Sequence, residues 1–228
     1  MRDWQGRRYW LTGATGTLGR ALAGHLSRAG VHLVLSARSE AELSALAADL
    51  PGQAEVLPFD LADPGAVEQA VAGLDLPDGI VHLALPGLWR EIPRAGDGEE
   101  PVSVGLLGAI RLARALIPKM EARGSGHVVL AASPLGRRGR RGAGALGAAS
   151  AGIVHLAESL RGEARAVRVQ ILMPGHAAGG SAGAAAQAMF EAMTGDAFRH
   201  GHPLMSDWAG RAGRFLPDWL WYRPGGRS

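Results

Sequence analysis

No cysteine occurs among the 228 residues, which excludes disulfides, thiolate zinc sites, iron–sulfur clusters and a cysteine nucleophile. Lysine is nearly absent as well. Of 24 basic residues only Lys119 is a lysine, and the only tyrosines are Tyr9 and Tyr222. Chemistry that needs an ammonium or a phenol must draw on these three side chains. Aromatics are 5% of the chain and are not interleaved with the basic residues, so a stacking platform for nucleic acid is not expected. No run reaches the roughly 18 apolar residues of a membrane span. The N-terminal MRDWQGRRYW carries no apolar signal core, so the expected address is the cytoplasm.

Glycine, alanine and arginine dominate what is present, with 34 glycines and a formal net charge of only +3. High Ala, Gly and Arg with little Lys is the composition of a GC-rich genome, so the arginine excess by itself names no partner. The charge is diffuse, whereas nucleic-acid surfaces cluster it. Short β-rich runs alternate with longer amphipathic ones. Strands are expected over 7–13, 31–37, 54–60, 79–85, 127–133 and 166–174. Helices are expected over 18–29, 39–50, 64–72, 103–122 and 144–164, with Ser39 and Glu42 forming a capping box. Such alternation means βαβ units. The expected fold is therefore a single doubly wound α/β domain with a parallel sheet of about six or seven strands. Its core is expected over 1–175. Residues 176–190, rich in Gly and Ala, are expected to form a loop leading into a helix, and 176–228 to supply a substrate loop and tail. Three of the six tryptophans, Trp208, Trp219 and Trp221, lie in that tail, which is expected to dock by them on its own domain or on a partner subunit.

The segment TGATGTLG (12–19) follows the first strand and opens the first helix. Small residues there let backbone N–H groups approach a pyrophosphate at the positive end of a helix. Thr12, Gly13, Thr15, Gly16, Thr17, Leu18 and Gly19 are therefore candidate dinucleotide contacts. An acid at the end of the second strand would hold a ribose 2′-OH, and an arginine would accept a 2′-phosphate. Here Ser36 ends the strand, Arg38 follows, and no acid precedes Glu40. NADP(H) is thus favoured over NAD(H), the alternative being that Arg38 is merely a solvated loop arginine. Asp60, in FDLAD, is placed to meet an adenine amino group, or else caps its own strand end.

Taken with LSARS, FDLAD, IVHLAL, LIPKM, GSGHVVLAAS and ILMPG in that order, TGATGTLG makes the chain resemble the short-chain dehydrogenase/reductase family over about 1–175. The resemblance implies a dinucleotide site that also includes Leu61, Ala84, Pro174 and Gly175. His82–Leu85 stand where the compact branch of the family has Asn-Asn-Ala-Gly, and only Ala84 matches. The family's chemistry uses a tyrosine, a lysine one helical turn later, a serine and an asparagine. Ser133 matches the serine. Leu146, Ser150 and Gly105 fall at the tyrosine, lysine and asparagine positions, and no tyrosine–lysine pair at helical spacing exists anywhere in the chain. A positioned general acid is worth about 10²–10⁴-fold in rate.

Two readings follow from that resemblance. In the first, the chain binds NADP(H) without the standard redox machinery and serves as a non-redox, partner or regulatory subunit. It would be a homo-oligomer, or pair with an active relative, through the helices 103–122 and 144–164. In the second, it is an NADPH-dependent oxidoreductase, or a non-redox cyclase or isomerase, using Ser133 and a non-standard acid, of which His176 beyond Pro174-Gly175 is the best stand-in. Its substrate would be a small carbonyl compound or an anion, the latter gripped by the four arginines of GRRGRRG (136–142). A nucleic-acid partner rests on that loop alone and is disfavoured. His200 and His202 lack further ligand spacing, so no metal is expected.

Overall fold

The computed structural model describes residues 3–86, 98–174, 182–202 and Pro217. In chain order, β1 (Arg8–Thr12) leads to α1 (Thr17–Arg28), β2 (His32–Ser36), α2 (Glu40–Asp49), β3 (Ala54–Val56), α3 (Pro64–Ala72) and β4 (Gly79–His82). A π-helical segment, Pro101–Leu107, runs directly into α4 (Gly108–Arg123). Then follow β5 (Gly126–Ala131), a 3-10 turn (Pro134–Arg137), α5 (Gly144–Glu163), β6 (Val167–Pro174), α6 (Ala182–Thr194) and β7 (Arg199–His202). The expected capping box forms in part, since the Ser39 hydroxyl accepts from Glu42 N at 3.3 Å. Asp63 caps α3 in front of Pro64, and Gly124, at φ 79°, closes α4 in the left-handed conformation that glycine tolerates.

All seven strands are parallel, in the order β3-β2-β1-β4-β5-β6-β7. Helices cover both faces, which is why the inner strands read as nearly unbroken apolar runs. Alternate strand residues feed two cores. Trp10, Ile80, Val128 and Leu130 pack with α3, α4 and α5, among them Val67, Leu112, Leu116 and Ile153. Leu11, Leu33, Val81 and Val129 pack with α1, α2 and α6, among them Leu22, Leu26, Leu43 and Met189.

The sequence expectation needs four corrections. β3 stops at Val56 and β4 at His82, short of 60 and 85, although single backbone bonds from Leu57 to Leu35, Phe59 to Ala37 and Leu83 to Thr12 still tie the chain to the neighbouring segments beyond them. The helix expected over 103–122 begins earlier and is π-wound at its start, where Gly105 and Gly108 let it close on β4 and Leu61. The stretch between β6 and α6 is only residues 175–181, because α6 already starts at Ala182. The RHGH strand β7 has no apolar run to announce it, and forms by pairing with Ile171–Pro174 at the sheet edge.

Among the described residues, Pro101–Arg123 is the one helix long and apolar enough to cross a membrane by length and composition. Its Leu112, Leu116 and Met120 are buried in the core described above, and it also carries Arg111, Arg114 and Lys119.

A buried polar chain crosses the α1/α2/α6 side of the sheet. The Tyr9 hydroxyl lies 2.8 Å from His127 Nδ1, and His127 Nε2 lies 2.8 Å from Gln170 Oε1. Gln170 Nε2 reaches the carbonyls of Ala197 at 2.7 Å, Ala192 at 3.1 Å and Gly195 at 3.4 Å, around the α6–β7 connection. Because Gln170 spends its N–H groups on carbonyls, its oxygen accepts from His127 Nε2–H, and His127 Nδ1 accepts from Tyr9. Tyr9 can reach across β4 only because residue 79 is glycine, since a Cβ there would run into the Tyr9 ring and lie 2.9 Å from His127 O. One of the two tyrosines is thus committed to holding the α6–β7 connection on the sheet.

Replacing Gln170 with leucine strands the His127 donor and the three carbonyls. We expect a loss of about 2–4 kcal/mol, read as a lower urea midpoint at unchanged m-value.

Candidate functional site

The C-terminal ends of β1, β2, β3, β4 and β5 meet around the turn that joins β1 to α1. Gly13 N and Ala14 N both donate to Ser36 O, at 2.9 and 3.1 Å, tying that turn to the end of β2. Gly13 has φ 73°, and a Cβ built there would sit 2.7 Å from Ala84 N. A Cβ on Gly19 would collide with Gly13 O and lie 2.8 Å from Ala14 O. Both glycines are therefore required by the protein's own packing. Gly16 differs. It has φ −64° and ψ 156°, which any residue adopts, and a Cβ there would meet only Gly13 O at 3.4 Å. Nothing inside the protein demands glycine at 16. It is exposed at the N-terminus of α1, where no side chain caps the helix and the first turn holds no acid. At such an uncapped, positive helix end an anion can approach the backbone closely.

Thr12 is fully buried, and its hydroxyl lies 2.8 Å from His82 Nδ1, so its side chain fixes the turn from beneath. Thr15 offers its carbonyl to Arg20 Nε at 2.9 Å, while Thr17 is exposed and Leu18 half-buried at the start of α1. Ser36, at the tip of β2, accepts from the Trp10 indole at 2.8 Å and so faces inward. Arg38 stands out into solvent two residues on, and its guanidinium meets Glu100 at 3.3 Å. Asp60 Oδ1 accepts from Ala62 N at 2.8 Å, so the carboxylate caps its own turn. Arg111 of α4 grips the same turn through Leu61 O at 2.7 Å and Ala62 O at 3.2 Å. Nothing in the sequence spacing signalled Arg111, which lies 50 residues away.

His82 is the second feature that only the fold reveals. It is fully buried, and its Nε2 donates to Gly105 O at 2.9 Å while Nδ1 accepts from Thr12. One neutral imidazole thus clasps the glycine-rich turn to the π-helical segment. Desolvation by burial pushes its pKa down to about 4, against a smaller upward pull from the Gly105 carbonyl.

Ser133 begins the 3-10 turn that follows β5. Its hydroxyl accepts from Leu135 N at 3.3 Å, and its N–H donates to Ser150 Oγ at 3.2 Å. Ser150 and Leu146 are both buried on α5. Gly136 packs on α5 at Ser150 and Ala151, a Cβ there lying 2.6 Å from Ala151 N. From the same turn Arg137 reaches Met173 Sδ at 3.3 Å, over the end of β6 beside Pro174. Lys119 is in the last turns of α4, at the N-terminal end of the strands. It lies one turn before Arg123, whose guanidinium holds Leu76 O and Pro77 O ahead of the first residue of β4. Gly175, His176, Trp208, Trp219, Trp221 and Tyr222 lie outside the described residues. Among those described, no group of three or more His, Asp or Glu is placed to hold a metal.

This architecture is that of a doubly wound nucleotide-binding fold. The sequence model of the short chain dehydrogenase family matches residues 9–189, and the chain belongs to that family. An uncharacterized oxidoreductase of Mycobacterium tuberculosis is 33% identical over 180 residues, covering 73% of this chain and 71% of that one. The 3-oxoacyl-(acyl-carrier-protein) reductase FabG of Escherichia coli is 26% identical over 181 residues, 76% of this chain and 74% of that one. A fatty acyl-CoA reductase of Acinetobacter baylyi is 30% identical over 130 residues, which span 52% of this chain but only 44% of that protein. Among solved structures, a short-chain dehydrogenase from Streptomyces avermitilis superposes with a TM-score of 0.82 at 22% identity, covering 91% of this chain and 92% of that one. A metagenomic short-chain oxidoreductase in complex with NADP gives 0.78 at 24% identity, over 88% and 96%.

Between pH 6.5 and 4 the unfolded chain protonates His82 while the folded chain does not. The contribution of His82 to stability is therefore complete above about pH 6.5 and is lost as pH falls toward 4. The loss amounts to roughly 3 kcal/mol. Urea titrations across this window should show a shallower slope for His82→Asn than for the parent; equal slopes would contradict the clasp.

Proposed function

We propose that the chain is a dinucleotide-binding member of its family, favouring NADP(H) over NAD(H), that lacks the family's proton-transfer pair and works as a non-redox, partner or regulatory subunit. Binding is supported by Gly16, a glycine with no internal reason to be one at a helix N-terminus without a cap. Thr15, Thr17, Leu18 and Gly19 would frame the pyrophosphate, with Gly13 and Thr12 shaping the turn. Asp60, Leu61 and Ala84 would border the adenosine. Arg38 would face a 2′-phosphate, and Pro174 and Gly175 would pass the nicotinamide. When bound, such a cofactor supplies or accepts a hydride. What this chain's own residues offer beside it is the Ser133 hydroxyl and the Arg137 guanidinium.

The observation that carries the loss of redox chemistry is the whereabouts of the scarce side chains. The sole lysine lies at the N-terminal end of the strands, and Tyr9 is buried against His127. The positions that match the family's tyrosine, lysine and asparagine hold Leu146, Ser150 and Gly105, of which Leu146 cannot donate a proton and Ser150 cannot supply a cation. Ser133 caps its own turn and is a weak acid alone. His176 remains the stand-in proton donor of an active alternative, an oxidoreductase, cyclase or isomerase acting on a small carbonyl or anionic substrate. The subunit reading gains from the start of α4, where Leu107, the last residue of the π-helical segment, and Ile110 are the large apolar side chains exposed on the described surface. They lie on a helix that the family resemblance implicates in pairing.

Gly16→Ala should fold with a melting temperature lowered only slightly, by the poorer N-cap, and lose about tenfold or more in NADPH affinity by fluorescence titration. Gly19→Ala should instead unfold at a lower temperature, because its Cβ meets backbone. Equal NADPH affinity in Gly16→Ala and the parent would remove Gly16 as its support, and failure of the folded parent to bind NADPH or NADH would remove the dinucleotide reading itself. Turnover of a carbonyl panel with NADPH should be absent in the parent; turnover abolished by Ser133→Ala would establish the enzyme reading in its place.

A further inference from the structure

Arg38 is the residue from which a 2′-phosphate preference is argued, yet it is not alone. Its guanidinium lies 3.3 Å from Glu100 Oε1, a residue 62 positions later in the chain, just ahead of the π-helical segment. The pair spans the mouth of the site. Arg38 stands beyond the end of β2, and Glu100 comes from the chain that returns after β4, with β1 and its glycine-rich turn between them. Glu100 is the better held of the two, with its side chain 32% exposed against 72% for Arg38. Its backbone is engaged in the turn opening the helix, where Ser103 Oγ donates to Glu100 O at 3.4 Å and Ser103 N to Glu99 O at 2.9 Å. The other acids close in sequence to Arg38 belong to the first turn of α2, and of these Glu42 meets Arg20 at 3.4 Å.

We propose that Glu100, through its ion pair with Arg38, is a specificity-determining residue that sets how strongly the site distinguishes a dinucleotide carrying a 2′-phosphate from one carrying a 2′-hydroxyl. This rests on the dinucleotide reading above. A 2′-phosphate brings about two negative charges to Arg38, and it must displace the Glu100 carboxylate or bind beside it. A 2′-hydroxyl brings no charge, and a carboxylate at that distance from the guanidinium is a ready acceptor for it. Glu100 therefore works against NADP(H) and for NAD(H), and the discrimination expected from Arg38 alone is held down. An exposed pair of this kind corresponds to about two- to fivefold in an equilibrium constant.

The experiment is a double-mutant cycle on the full chain. Dissociation constants for NADPH and NADH are measured by fluorescence titration for the parent, Glu100→Gln, Arg38→Ala and the double variant, with melting curves to confirm folding. Glu100→Gln should raise the NADPH-over-NADH preference about fivefold, and the same change in the Arg38→Ala background should alter it by less than about twofold. Adding salt should lower the preference of Glu100→Gln more than that of the parent. An unchanged preference in Glu100→Gln, or an equal rise with and without Arg38, overturns the proposal while leaving the dinucleotide reading intact. Failure of the folded parent to bind either cofactor overturns both.

Discussion

The architecture depends on how closely three backbones approach at the end of β1. The chain turns there at Gly13 with a positive φ, hard against the first residues beyond β4, and α1 begins so near the turn that Gly19 touches the Gly13 carbonyl. No side chain can be inserted at either point without moving backbone. This crowding sets the position of α1 on the sheet, and with it the direction in which the helix's positive end faces. Gly16, at the crest of the same turn, is free of it. The contrast separates glycines that the fold requires from one that it does not.

Beneath that turn the polar interior is organised by residues that could be mistaken for chemistry. His82 joins Thr12 to Gly105, and His127 joins Tyr9 to Gln170. Each imidazole is buried, with a hydrogen-bond partner at both nitrogens. Buried polar groups of this kind cost dearly when half-paired and specify geometry when fully paired. The first clasp fixes the floor of the candidate nucleotide site. The second fixes the α6–β7 connection from the opposite, N-terminal part of the strands. A sequence with few tyrosines and one lysine has thus placed Tyr9 and Lys119 where they cannot serve a reaction at the C-terminal edge.

Much of the fold was legible because its signals are local. Strand–helix alternation, the capping residue Ser39 and the glycine-rich turn each depend on neighbours a few residues apart. The doubly wound parallel sheet followed from them, and the family match over residues 9–189 agrees. The illegible parts depend on partners far along the chain. RHGH becomes β7 only because β6 offers an edge, and the π-winding before α4 arises where glycines approach β4 and Leu61. In the candidate site, Arg38 and Asp60 were visible by their position after a strand, but Glu100 and Arg111 were not. Their partners lie 62 and 50 residues away, and no periodicity connects residues across such gaps.

The amino-acid sequence by itself determined the fold class, the glycine-rich turn and the absence of a tyrosine–lysine pair, because composition and local spacing are properties of the chain alone. Only the tertiary structure decided which glycine is open to the outside, that Thr12 and Asp60 turn to the protein's own groups, and that an acid stands against Arg38. Those are facts of distance between segments remote in sequence, and burial and charge act through distance.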